Sequence, residues 1–95
     1  MISAGTRPRL AAKARLRYDR KTTRYLLLYP ERGLELNPTA AEILKLCDGE
    51  RTVDAIVDRL AAAYPKKARD AVEREVLEFL GALAERGLVR GEADD

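Results

Sequence analysis

Three short strands followed by three helices, an α+β and winged-helix-like order, is the fold that this 95-residue chain predicts. Three observations predict it. Apolar residues alternate in ARLRYD and again in LEL, the period of a strand. Three later stretches repeat apolar residues at helical spacing, each bounded by a capping residue, a glycine or a proline. Hydrophobic residues at 46% and charged residues at 36% describe a single globular domain, with no run long enough to span a membrane.

Residues 1–12 carry Pro8 and scattered basic residues without periodicity, and are expected to be a flexible basic arm. The domain proper is expected over residues 13–90, and residues 91–95 as an acidic tail. The first strand runs from Ala14 to Asp19, with Leu16 and Tyr18 on one face and Arg15 and Arg17 on the other. The second, Arg24 to Tyr29, is apolar on both faces: Tyr25, Leu27 and Tyr29 on one, Leu26 and Leu28 on the other. A strand in so small a sheet ordinarily has one wet face. The arm, another subunit or a partner is therefore expected to cover the second. The third strand, Leu34 to Leu36, follows the turn Pro30-Glu31-Arg32-Gly33.

Helix one starts at once. Asn37 before Pro38 fits an N-cap, and Thr39 with Glu42 fits a capping box two residues on; the sequence leaves both open. It runs to about Cys47, with Gly49 as its left-handed exit. Thr52 caps helix two, Val53, Ile56, Val57 and Leu60 form its apolar stripe, and Pro65 stops it. Helix three starts near Lys67 and ends at Gly87, after which Leu88 and Val89 pack back on the body. With Val72 at zero and about 100° per residue, Val76, Phe79 and Leu83 fall within about 40° and form the core stripe. Leu80, Ala84 and Leu77 widen the apolar arc, and Gly81 ends it where another backbone could approach.

The residue inventory excludes much chemistry. With no histidine and one cysteine, Cys47, there is neither a disulfide framework nor the commonest metal ligand and general base. No phosphate loop, CxxC or GxSxG is present, and the N-terminus lacks the apolar stretch of a signal peptide. A cytoplasmic, metal-free protein with no catalytic residues and no cofactor is the expectation. Cys47 lies among apolar helical residues, as a small hydrophobe does, and Glu73, Glu75 and Glu78 read as a solvated face.

The net charge of +2 divides unevenly. Residues 1–24 hold eight Lys/Arg against one acid, a net of +7, and residues 25–95 hold ten against fifteen, a net of −5. A winged-helix order raises a DNA-binding regulator as the alternative. From Lys67 to Arg86, however, helix three carries four basic residues against five acids, where phosphate contact needs a basic surplus. A peptide-binding module fits better. The short edge Leu34-Glu35-Leu36 offers backbone groups to an extended chain, and helix three stands beside it as an apolar wall.

The stretch LLLYPERGLELNPTAAEILKLCDGERTVDAIVDRLAAAYP, followed by VEREVLEFLGALAERGLV, strongly resembles the protein D family of pyrroloquinoline quinone (PQQ) biosynthesis. The densest parts are LYPE, the LELN strand-to-helix entry, LKLCDGERTV and the V…FL..L…GLV pattern, within a match over roughly residues 8–90. The resemblance implies a stand-alone recognition element for a ribosomally made precursor peptide. It further implies a chaperone that presents the peptide to a radical S-adenosylmethionine enzyme, which joins a Glu and a Tyr side chain. The family's peptide docks between the third strand and the third helix. That carries over to Leu34, Glu35 and Leu36, with Val76, Leu77 and Leu80 added from the angle count. Leu36→Asp is then expected to weaken peptide binding without unfolding the domain. The basic N-terminal part is expected to meet the enzyme or an acidic part of the peptide. Neither nucleic acid nor membrane is expected as a partner, and a homodimer and a monomer both stay open.

Overall fold

The structure, a computed structural model, describes residues 2–30 and 32–92. In chain order it contains β1 (Arg7–Leu10), β2 (Arg15–Asp19), β3 (Arg24–Tyr29), β4 (Arg32–Leu36), α1 (Pro38–Lys45), α2 (Val53–Ala63), α3 (Arg69–Glu85) and β5 (Val89–Glu92). The expected three-stranded antiparallel sheet is β2-β3-β4, and the three helices follow it. A second, two-stranded sheet of β1 and β5 was not expected.

That second sheet corrects the reading of the N-terminal segment as a flexible arm. Arg7 pairs with Glu92 and Leu10 with Val89. The segment also receives donors from the helical part: Gly49 N–H reaches the Pro8 carbonyl at 2.9 Å, Val53 N–H the Thr6 carbonyl at 2.8 Å and Asp54 N–H the Ala4 carbonyl at 3.0 Å. The last two are first-turn groups of α2, which have no partner inside their own helix. Sequence periodicity misses such a strand because its bonds lie at the far end of the chain and at a helix start, not with a neighbouring strand. Of the expected tail, Gly91 and Glu92 belong to β5, and residues 93–95 lie outside the described residues.

Register settles the faces of the larger sheet. Leu16 opposes Leu27, which opposes Leu34, and Tyr18 opposes Tyr25, which opposes Leu36. These side chains share the face that meets the helices. Leu27 is fully buried there, against the stripe Ala40, Ala41, Ile43 and Leu44 of α1 and the apolar faces of α2 and α3. The opposite face carries Arg15, Arg17, Leu26, Leu28, Gly33 and Glu35.

The helix ends follow local chemistry. Asn37 is the N-cap of α1, its side chain accepting from Ala40 N–H at 2.8 Å. This decides between the two caps that the sequence left open; Glu42 instead pairs with Lys45 at 3.2 Å. Thr52 caps α2 by accepting from Ala55 N–H at 3.1 Å. No side chain caps α3, but Arg69 at its first position spans to Asp54 and Asp58 on α2 at 2.6 and 2.9 Å. At its other end Gly87, with φ of 73°, lets Leu88 N–H return to the Leu83 carbonyl at 3.0 Å and Gly87 N–H to that of Ala84 at 3.0 Å. That turn aims Leu88 and Val89 into the core, at 2% and 3% exposure.

Candidate peptide-docking site

Strand β4 forms one edge of its sheet, paired to β3 alone among the described strands. A sheet edge presents a row of unsatisfied N–H and C=O groups that an extended chain can complete. The strand is short because the helix begins immediately: Leu36 ends β4 and Pro38 is already the first residue of α1. The Asn37 cap, which accepts from Ala40 N–H, ties the end of the edge strand to the first turn of the helix.

Beside the corner lies an open depression of about 360 Å³, lined by Asn37, Thr39, Ala40 and Ile43 on one side and Lys67, Glu75 and Phe79 on the other. It separates the β4–α1 corner from α3. Ala40 and Ile43 are buried and give it an apolar floor, while half-buried Phe79 gives an aromatic wall. Lys67 and Glu75 are joined across the rim, Nζ to both carboxylate oxygens at 2.7 and 2.8 Å. Leu34 on β4 is half-buried at the margin of the same core as Phe79. Glu35 points to the opposite face and meets Arg24 at 3.2 Å, an exposed pair that contributes little to stability.

The structure places the sequence-derived site residues in different settings. Leu34, Glu35 and Leu36 lie on the open edge strand. Leu36 is only 4% exposed, so Leu36→Asp would bury a carboxylate and test folding rather than docking. Val76 and Leu80 are 1% and 0% exposed, in the interior rather than on a wall. The angle count erred by its choice of centre. The buried residues Val72, Val76, Leu80 and Leu83 centre about 35° from Val72, toward Leu80. Phe79 then becomes one flank of the stripe and Leu77, half-buried, the opposite one. Phe79, which the count placed in the core, is the α3 wall; Leu77 does not line the depression. Thr39, Lys67 and Glu75, read from the sequence as a capping residue, a helix start and part of a solvated face, were not expected at the site, because only the approach of α1 to α3 brings them together.

A second depression, of about 450 Å³, lies across the Leu36–Pro38 corner, against Tyr18, Tyr25 and Glu42. The two tyrosine rings meet at a 60° tilt with centroids 5.0 Å apart, and the Lys45 ammonium sits 4.3 Å over the Tyr25 ring. Tyr25, and then Glu42, raise the Lys45 pKa above its ordinary value. Its walls come from the end of the β2–β3 hairpin on one side and the Leu36–Glu42 corner on the other, so it meets β4 only at the strand's last residue.

Two features bear on catalysis. Burial pushes the Cys47 thiol up to about 12, and its Sγ donates to the Ile43 carbonyl at 3.2 Å, so it is protonated and shielded near neutral pH. Among the described residues no group of three or more His, Cys, Asp or Glu could hold a metal ion. No helix among them is long and apolar enough to cross a membrane.

A winged-helix-like α+β domain with an open strand edge that runs into a helix corner facing its last helix is thus the class of protein that fold and site define. Comparison with known proteins narrows the class. The family model described as coenzyme PQQ synthesis protein D matches residues 24–89. A protein of Rhodopseudomonas palustris called PqqA binding protein is 41% identical over 93% of this chain and 85% of its own length. One of the same name from Methylococcus capsulatus is 38% identical over 85% of this chain and 84% of its own. Two solved structures share the fold. The first is the solution structure of the PqqD truncation of Methylobacterium extorquens PqqCD, described as a functional, stand-alone recognition element for ribosomally synthesized, post-translationally modified peptides. It is 33% identical with a TM-score of 0.79, over 95% of each chain. The second, TbiB1 in complex with the TbiA(beta) leader peptide, is 26% identical with a TM-score of 0.75, over 90% of this chain and 99% of that one. The chain belongs to the coenzyme PQQ synthesis protein D family.

Proposed function

We propose that this chain is a non-catalytic peptide chaperone of PQQ biosynthesis that binds the pathway's precursor peptide at the β4 edge. The peptide adds as a further strand beside Leu34 to Leu36 and rests its apolar side chains on Phe79 and the Ala40–Ile43 floor. Backbone pairing supplies affinity, and the depression between α1 and α3 supplies selection. The observation that carries this reading is the open edge of β4, which runs directly into the Asn37–Ile43 corner that faces Phe79 across the depression. The PqqA-binding name of the relatives and the leader peptide held by TbiB1 support it. The chain then presents the bound peptide to a radical S-adenosylmethionine enzyme, which carries the cofactors, and works in the cytoplasm as a monomer or homodimer.

Isothermal titration with a synthetic precursor peptide, paired with the Phe79→Ala variant, tests the reading. Saturable binding that the variant weakens about tenfold or more is expected, the effect of truncating an aromatic anchor. Binding that ignores the substitution would place the peptide elsewhere.

A further inference from the structure

The outer face of the β2-β3-β4 sheet, away from the helices, is left uncovered. Leu26 and Leu28 stand there half-buried, outside the core and not packed against it. The N-terminal segment, one of the covers expected from the sequence, is held in the β1–β5 pair instead. Each leucine has an arginine directly across the strand pair: Arg17 opposes Leu26 and Arg15 opposes Leu28. Leu28 leans over the edge strand, its Cδ2 only 3.0 Å from where a Cβ on Gly33 would stand, so an apolar ridge crosses from β3 toward β4. The lining of the depression over this face includes Arg17, Asp19, Arg20, Lys21, Leu26 and Leu28, with Tyr18 at its margin.

Charge on the face is lopsided. Arg15, Arg17, Arg20 and Lys21 have no ion-pair partner among the described residues. Its carboxylates are engaged: Glu35 with Arg24, and Asp19 as acceptor from Lys21 N–H at 2.9 Å. Two leucines bordered on the β2 side by cations that have no ion-pair partner among the described residues match a protein surface that offers an apolar side chain among Asp and Glu. A second copy of the same face would set cation against cation. Nucleic acid would use the cations and leave the leucines without a partner, since phosphate contacts need no apolar centre.

We infer that this outer face is a second docking surface, separate from the β4 groove, for an acidic and apolar-centred surface of a protein partner. The enzyme that modifies the bound peptide is the partner that the proposed function supplies, and the inference rests on that reading for its choice. Because peptide and partner would use different surfaces, one chain could hold both at once. Complementary charges would steer the encounter and the leucines would hold the complex.

The test measures binding of the purified radical enzyme and of the precursor peptide, separately, to the full chain, to Arg15→Glu/Arg17→Glu and to Leu26→Ser. Each variant is expected to lose enzyme affinity by about tenfold or more, and raised salt to weaken the wild-type complex, while peptide affinity stays within about twofold. Retained peptide binding also shows that the variants are folded. Enzyme binding unchanged in both variants, or absent in the wild type, overturns the inference. So does a wild-type dimer that the charge reversal dissociates, or duplex DNA bound through the same arginines. Loss of peptide binding by the wild type would instead refute the groove, a separate failure.

Discussion

The chain contains two short strand systems that treat their backbone groups in opposite ways. The β1–β5 pair is closed on its β1 side: β1 pairs with β5, and β1 and the segment leading into it also take donors from Gly49, Val53 and Asp54. Strand β4 is comparably short, yet among the described strands only β3 pairs with it. Edge strands left open invite association with other chains, and proteins ordinarily charge or cover them. Here the terminal segments, which could have covered an edge, brace the start of α2 instead. The difference teaches that chain was available for pairing and that the β4 edge was not given any.

Breaking the closed system should have the largest effect. Deletion of residues 1–10 removes the carbonyls that accept from Gly49, Val53 and Asp54. At about 1 kcal/mol each, these alone come to roughly 3 kcal/mol, before the lost burial of Thr6 and Pro8. Urea denaturation should show a loss of at least this size; an unchanged midpoint would restore the picture of a free arm. Gly91→Val sharpens the same point, since a side chain there collides with Thr6 and Ile2 and should cost about 1–3 kcal/mol.

At the open system the largest effect should fall on binding rather than stability. Phe79→Ala should weaken peptide binding about tenfold or more while the half-buried ring leaves the fold standing. Asn37→Ala should cost about 1 kcal/mol of stability through the lost cap on Ala40 N–H, and loosen the corner that ends the edge strand.

How much of this was legible follows from where each signal lives. The sheet β2-β3-β4 and the caps at Thr52 and Gly87 are local in sequence and could be read from strand alternation, turn residues and helix breakers. The strand Arg7–Leu10 has its partner at the other end of the chain, and no local period announces it. The edge residues Leu34, Glu35 and Leu36 were legible because short alternation after a turn is a strand signal. The α3 wall was not. Helical angles rank residues around an axis but do not say which neighbour each flank meets, so Phe79 and Leu77 exchanged roles. The α1 contribution of Thr39 and Ala40 depends on how two helices approach, which no single helix encodes.

Two titrations give smaller, signed effects on stability. The Cys47 pKa is raised in the folded state from 9.0 to about 12. Its contribution is therefore full below about pH 9 and lost as pH rises toward 12, and Cys47→Ala should flatten that alkaline limb. Asp48 is held below the usual carboxylate range by backbone N–H groups, first of Arg51 and then of Glu50. Its contribution is present above the unfolded value near 3.8 and lost as pH falls through the folded one, a slope that Asp48→Asn should reduce in acid denaturation.

The central claim is that β4 is completed by a substrate strand, and amide hydrogen exchange measures it most directly. On addition of the precursor peptide, amides within residues 32–36 should exchange more slowly, with smaller protection around Phe79. Saturable peptide binding that leaves exchange along β4 unchanged would contradict the account.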